Sequence, residues 1–173
     1  MVFDANSAPR ERAEFVDWYD QQAEWSEGHT YIDSEVTTEG LRNWYNEIRK
    51  TYPNMNGPGA PSDDDLLEPG VEDRLADYSI GKSMIYAGFA WSKAEEVYPL
   101  FRELAVKHKV GFYDVSGDNG DGEIYFPGDT LREPSEGAWR QISRDFQSGD
   151  LSKYIPQEEP QERRWWDIFR RNK

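Results

Sequence analysis

Between Asp114 and Phe126 the chain reads DVSGDNGDGEIYF, a mixture of carboxylates and glycines of the kind that closes oxygen ligands around calcium. A twelve-residue calcium loop needs oxygen ligands at positions 1, 3, 5 and 12, a glycine at 6 and an apolar residue at 8. With Gly122 at position 6, Asn119, Asp121 and Ile124 fall at 3, 5 and 8. Position 1 is then Gly117 and position 12 is Gly128, so two of the key ligands are missing. The flanks, VGFYDVS and EIYFP, read as strands, whereas such a loop joins helices. The pattern therefore predicts a β-hairpin with no metal. Its glycines are expected to supply positive φ, its acids to sit in water, and Asn119-Gly120 to make a tight turn.

A second run, ADYSIGKS from Ala76 to Ser83, matches the loose form of the phosphate-binding loop. That loop works only where a strand ends and a helix begins, because backbone N–H groups at the helix start hold the phosphate. Here MIYAGFAW follows Lys82 and reads as strand, so no nucleotide site is expected and Lys82 belongs to a strand junction. His29 lies in a polar connector near Glu24, Glu27 and Asp33, where nothing fixes a metal geometry. His108 closes a helix, where a cation complements the dipole, and reads as structural. The chain contains no GxSxG or HExxH pattern and no cysteine, which removes thiolate chemistry and disulfides. No cofactor is expected. A carboxylate pair acting together cannot be located among 34 acids without a fold. Trp18, Trp25, Trp44 and Tyr45 are the aromatic side chains available to line a cleft.

The elements that would carry these residues follow from periodicity. MVFD opens as a short strand, and Ser7 and Pro9 predict a helix over 9–23 carrying Phe15, Val16, Tyr19 and Ala23. Leu41, Trp44, Tyr45, Ile48 and Tyr52 form the clearest amphipathic stripe, ended by Pro53. The stretch 53–70 is loop by composition. Strands are predicted over 77–81 and 83–90, or one long bulged strand. A helix is predicted over 93–108, capped by Ser92 and Glu95 and interrupted by Pro99. Two more strands follow, then a helix carrying Ala138, Trp139, Ile142 and Phe146. The fold class is α+β: an antiparallel sheet with helices mainly on one face. Setting aside the second helix and the last strand leaves the split βαβ, or ferredoxin-like, order. Residues 1–127 form the core domain and 128–173 a C-terminal helical extension.

The net charge is −14, which repels nucleic-acid phosphate and suits a basic partner. The start of the sequence, MVFDANSAPRERAEF, shows no signal-peptide pattern, and no apolar run approaches a membrane span. A cytoplasmic location is the expectation. The end differs from the rest: residues 161–173 carry a local charge of +3, against −17 for the remainder. Arg164, Trp165, Trp166, Phe169 and Arg170 in this basic aromatic tail are the candidate partner-binding residues. The tail can dock on its own acidic body, on a second copy or partner, or on an anionic membrane. The shortness of the tail and the charge of the body oppose the last.

The strings WYNEIRKTYPNMNGP, YSIGKSMIYAGFAWSKAEEVY and KHKVGFYDVS…GEIYFP resemble a group of small bacterial single-domain proteins with no assigned activity. The resemblance covers about residues 1–127 and transfers no functional residue. It implies a bacterial, cytosolic protein. Members of that group commonly start a few residues earlier in the first strand, which makes Met1 an internal position by comparison, and often end near the YFP strand. Together these readings predict a non-enzymatic acidic module that binds a protein, an immunity-type protein against a basic toxin being one concrete form. The alternative is an enzyme or small-molecule binder with a cleft of carboxylates and aromatics.

Overall fold

The computed structural model describes residues 1–24, 28–57, 59–117, 122–131 and 138–154. In chain order the elements are β1 (Val2–Phe3), α1 (Arg12–Ala23), α2 (Glu39–Ile48), α3 (Asp63–Leu66), β2 (Ala76–Ile80), β3 (Met84–Phe89), α4 (Ala94–His108), β4 (Gly111–Tyr113), β5 (Ile124–Tyr125) and α5 (Ala138–Ser148). The strands form one sheet in the order β2-β3-β1-β4-β5, antiparallel at every junction. β1 therefore runs parallel to β2 with β3 between them, and β3 parallel to β4 with β1 between them. That is the split βαβ order with β5 added at the edge. Among the described residues no helix is long and apolar enough to cross a membrane.

The two faces of the sheet bury different sets, as the period of two requires. Val2 is paired with Ile85 and Phe112, and all three face α2 and α4. Every residue of the predicted stripe, Leu41, Trp44, Tyr45, Ile48 and Tyr52, is buried there against Phe101 and Leu104 of α4. Phe3 and its neighbour Met84 turn the other way with Tyr113, onto Phe15 of α1. The helix that crosses over within the split βαβ unit is thus α2, and α1 is the additional one. The sequence reading had set aside α2 instead, because strand order alone does not say on which face a helix lands.

Other boundaries shift for local reasons. α1 begins at Arg12, capped by the Glu11 carboxylate accepting from the Glu14 N–H, because Asp4 holds residues 4–7 in a turn of their own. The expected Ser92–Glu95 capping box does not form. Trp91–Lys93 is instead a single 3-10 turn and α4 starts at Ala94, and the Glu95 carboxylate that would complete the box pairs with Arg144 of α5 at 3.4 Å. Pro99 lies inside α4, which nonetheless continues to His108.

Candidate functional site

The two motif-like stretches resolve into hairpins. Gly81, Lys82 and Ser83 form the reversal between β2 and β3, with the Gly81 N–H donating to the Met84 carbonyl at 2.9 Å. The helix start that a phosphate site requires is not there. In the second hairpin the Asp114 N–H donates to the Glu123 carbonyl at 2.9 Å. Asn119, Gly120 and Asp121 lie outside the described residues. Gly117 and Gly122 do not hold the positive φ expected of them. They are needed for close approach: a Cβ on Gly117 would stand 2.1 Å from the Gly122 Cα, and one on Gly122 would stand 1.9 Å from the Asp114 carbonyl oxygen.

Tyr98, Arg102 and Glu123 meet beside this hairpin. Arg102 Nε and Nη2 each lie 2.9 Å from the Glu123 carboxylate, and the Tyr98 hydroxyl donates to it at 2.7 Å. Arg102 and Glu123 are both nearly buried. Burial, then the Glu123 carboxylate, pushes the Tyr98 pKa up, so this phenol stays protonated and donates. A carboxylate spanned by a guanidinium and a phenol is held as an acceptor. The arrangement ties α4 to β5 and leaves no free base.

A cavity of about 230 Å³ opens nearby between β3 and β4. Its lining is rich in aromatic residues, among them Tyr98 and Phe101 of α4 and Trp139 of α5. Trp139 stacks on Tyr98 at 4.9 Å. Asp114 is the one carboxylate in the described lining, and its Oδ1 accepts from the Ser116 N–H at 3.0 Å. Two converging acids, the requirement of the alternative reading, are not brought together here. Among the described residues no three His, Cys, Asp or Glu side chains are placed to hold a metal ion.

The outer edge of β2 carries a different surface. Thr30 pairs with Ile80 and Asn54 with Ala76, bringing two loops against one strand. Asn54 is buried; its amide donates to the Tyr45 hydroxyl at 2.7 Å and to the Tyr31 carbonyl at 3.4 Å. The two loops also touch at Ile32 and Gly57, where a Cβ on the glycine would meet Ile32 Cγ2 at 2.4 Å. Tyr31, Ile32, Val36 and Met55 are left 52, 57, 45 and 50% exposed. Asp33 and Glu35 stand among them, and Arg42 pairs with Glu35 at 2.7 Å.

The sequence reading missed this patch, since isolated apolar residues in polar connectors carry no periodic signal. The two bridges to β2, with the Asn54–Tyr31 hydrogen bond and the Ile32–Gly57 contact, are what bring the loops of Tyr31, Ile32 and Met55 together. Of the aromatics named as cleft candidates, Trp44 and Tyr45 are core, Trp18 packs beside Phe15, and Trp25 lies outside the described residues. His108 Nε2 lies 2.6 Å from Glu47, and His29 Nε2 lies 3.0 Å from the Tyr31 hydroxyl. Arg164, Trp165, Trp166, Phe169 and Arg170 lie outside the described residues. No protein-family model matches this chain, and no curated protein or solved structure matches it either.

Proposed function

We propose that this is a non-enzymatic, acidic module that binds a basic protein through the outer edge of β2. The observation that carries the reading is the exposed group of Tyr31, Ile32, Val36 and Met55 with Asp33 and Glu35 among them. Large apolar side chains exposed where two loops meet, with polar groups around them, are of the kind that protein contact sites use. A rim of carboxylates on a chain of net charge −14 favours a basic partner and speeds its approach. The resemblance to small bacterial proteins implies a bacterial, cytosolic module, with which the lack of cysteine is compatible, and neutralising a basic toxin is one concrete role there. The tail residues Trp165, Trp166 and Phe169, with Arg164 and Arg170, supply a second contact of opposite charge, to the body itself or to another copy. The cavity supports binding over catalysis too, because among the described residues Asp114 is the one carboxylate of its lining and Glu123 is engaged by Arg102.

The test compares captures from native bacterial lysate by the wild-type chain and by the Ile32→Asp/Met55→Asp variant. A basic protein held by the wild type, released by raised salt and lost with the variant, is the expected result. Identical captures by the two proteins would defeat the assignment to this edge.

A further inference from the structure

The chain carries a basic aromatic segment as well as an acidic apolar edge. Residues 161–173 hold Arg163, Arg164, Arg170, Arg171 and Lys173 against Glu162 and Asp167, with Trp165, Trp166 and Phe169 among them. At the β2 edge the stretch 31–41 holds Asp33, Glu35 and Glu39 and no lysine or arginine. All three acids are exposed, as are Tyr31, Ile32, Val36 and Met55. Arg42 reaches Glu35, whose side chain is still 77% exposed. The two stretches are opposite in charge, and each offers large apolar side chains, which are the two properties by which a contact site selects its partner.

The topology brings the root of the segment toward the edge. The last described residue is Tyr154, whose ring packs on Phe146 and whose hydroxyl donates to Asp145 of α5. On the same part of α5, Gln147 donates to the Ser92 carbonyl at 2.9 Å, which fixes it on the turn Trp91–Lys93. That turn follows β3, whose last residue, Phe89, is level with Ala76, the first of β2. A further 3-10 turn, Glu72–Arg74, leads into β2 and contacts the turn after β3. The Met55 N–H donates to the Ala76 carbonyl at 2.8 Å. Tyr154 and Met55 thus lie toward the same end of the sheet. From Tyr154 to Arg164 the chain can reach about 35 Å. A five-stranded sheet is only about 20 Å across.

We infer that residues 161–173 seat on the β2 edge of their own chain and occupy it until a basic partner displaces them. The inference rests on the reading of that edge as the contact site and names what regulates it: a tethered segment with the partner's own chemistry. Trp165, Trp166 and Phe169 cover Tyr31, Ile32 and Met55, and the arginines on either side meet Asp33, Glu35 and Glu39. A tether of this kind gives a millimolar effective concentration, so only a tight or strongly basic partner takes the edge. A second copy is the poorer occupant, since its tail brings a body of the same negative charge.

The chain has no cysteine, so a nitroxide attached at Asn172→Cys of the full 173-residue chain is the only label. In the ¹⁵N-labelled chain it should attenuate the Tyr31, Ile32 and Met55 amide signals. Trp165→Ser/Trp166→Ser/Phe169→Ser in the same chain should restore them, as should raised salt. No attenuation, or attenuation centred elsewhere on the body, would overturn the inference. Equal attenuation of an unlabelled ¹⁵N chain by added nitroxide chain would give the edge to a second copy and overturn the tethered assignment. A fluorescent peptide of residues 161–173 should bind the triple-serine chain about tenfold or more tighter than the wild type, and lose that binding when Ile32→Asp/Met55→Asp is added. Equal binding to the triple-serine chain and the wild type would overturn the competition. These samples hold no other protein, so the result is separate from the lysate captures. Attenuation with identical captures defeats the contact-site reading alone, and distinct captures without attenuation defeat the tail alone.

Discussion

The two faces of the sheet are built differently. The α2–α4 face is covered by two helices whose apolar positions recur at helical spacing, and it buries a continuous set from Val2 to Tyr125. The α1 face is a smaller aromatic cluster in which Phe3 meets Phe15 at 4.9 Å and Phe126 at 5.2 Å, while Phe15 meets Tyr113 at 5.2 Å. Within α1 only Phe15 is fully buried. One face is held by extensive regular packing. The other depends on a few rings gathered from distant segments, and on Gly111, where a Cβ would stand 2.3 Å from the Phe3 ring.

The sharpest way to break this contrast is truncation on each face. Trp44→Ala, in the centre of the larger core, is expected to cost about 4 kcal/mol, and Phe15→Ala about 3 kcal/mol, measured by urea unfolding. A larger loss for Phe15→Ala would reverse the ranking of the faces. Gly111→Ala should cost about 2 kcal/mol by overpacking against Phe3. Phe3→Leu in the same chain should return part of that loss, and a purely additive double variant would show that the ring is not what Gly111 accommodates.

The smallest effect concerns the outer rim of the α2–α4 face, where Glu47 receives Lys107 and His108. The hydrogen bond from Lys107, then that from His108, holds the Glu47 carboxyl below its ordinary value of 4.5. A carboxyl lowered in the folded state contributes stability above its unfolded pKa and loses it as the pH falls through the folded one. The Tm difference between wild type and Glu47→Gln should be full well above the ordinary value of 4.5 and shrink as the pH falls below it. A difference that persists in acid would mean the glutamine disturbs packing instead.

Legibility in the sequence follows the same division. The stripe from Leu41 to Tyr52 was readable because a helix facing one flat sheet needs apolar residues every three or four positions. The β2–β3 hairpin was readable from its β-branched and aromatic runs. The side on which α1 lies was not readable, since of its periodic apolar positions, Phe15, Val16, Tyr19 and Ala23, only Phe15 is buried and none specifies a face of the sheet. Nor was the partner of Glu95, Arg144, which α5 supplies from about fifty residues on. The patch at Tyr31, Ile32 and Met55 depends on two isolated bridges that no local pattern encodes.

Residue order alone settled the class of fold, the major amphipathic helix, the strand context that rules out a phosphate loop at Gly81–Lys82–Ser83, and the acidic balance. These are local or additive properties: spacing, propensity and charge. Tertiary structure decided which helix crosses over, which loops share the β2 edge, and which side chains line the cavity between β3 and β4. Each of those depends on contacts between segments far apart in the chain, where register and the direction of main-chain hydrogen bonds, rather than residue type, determine what meets.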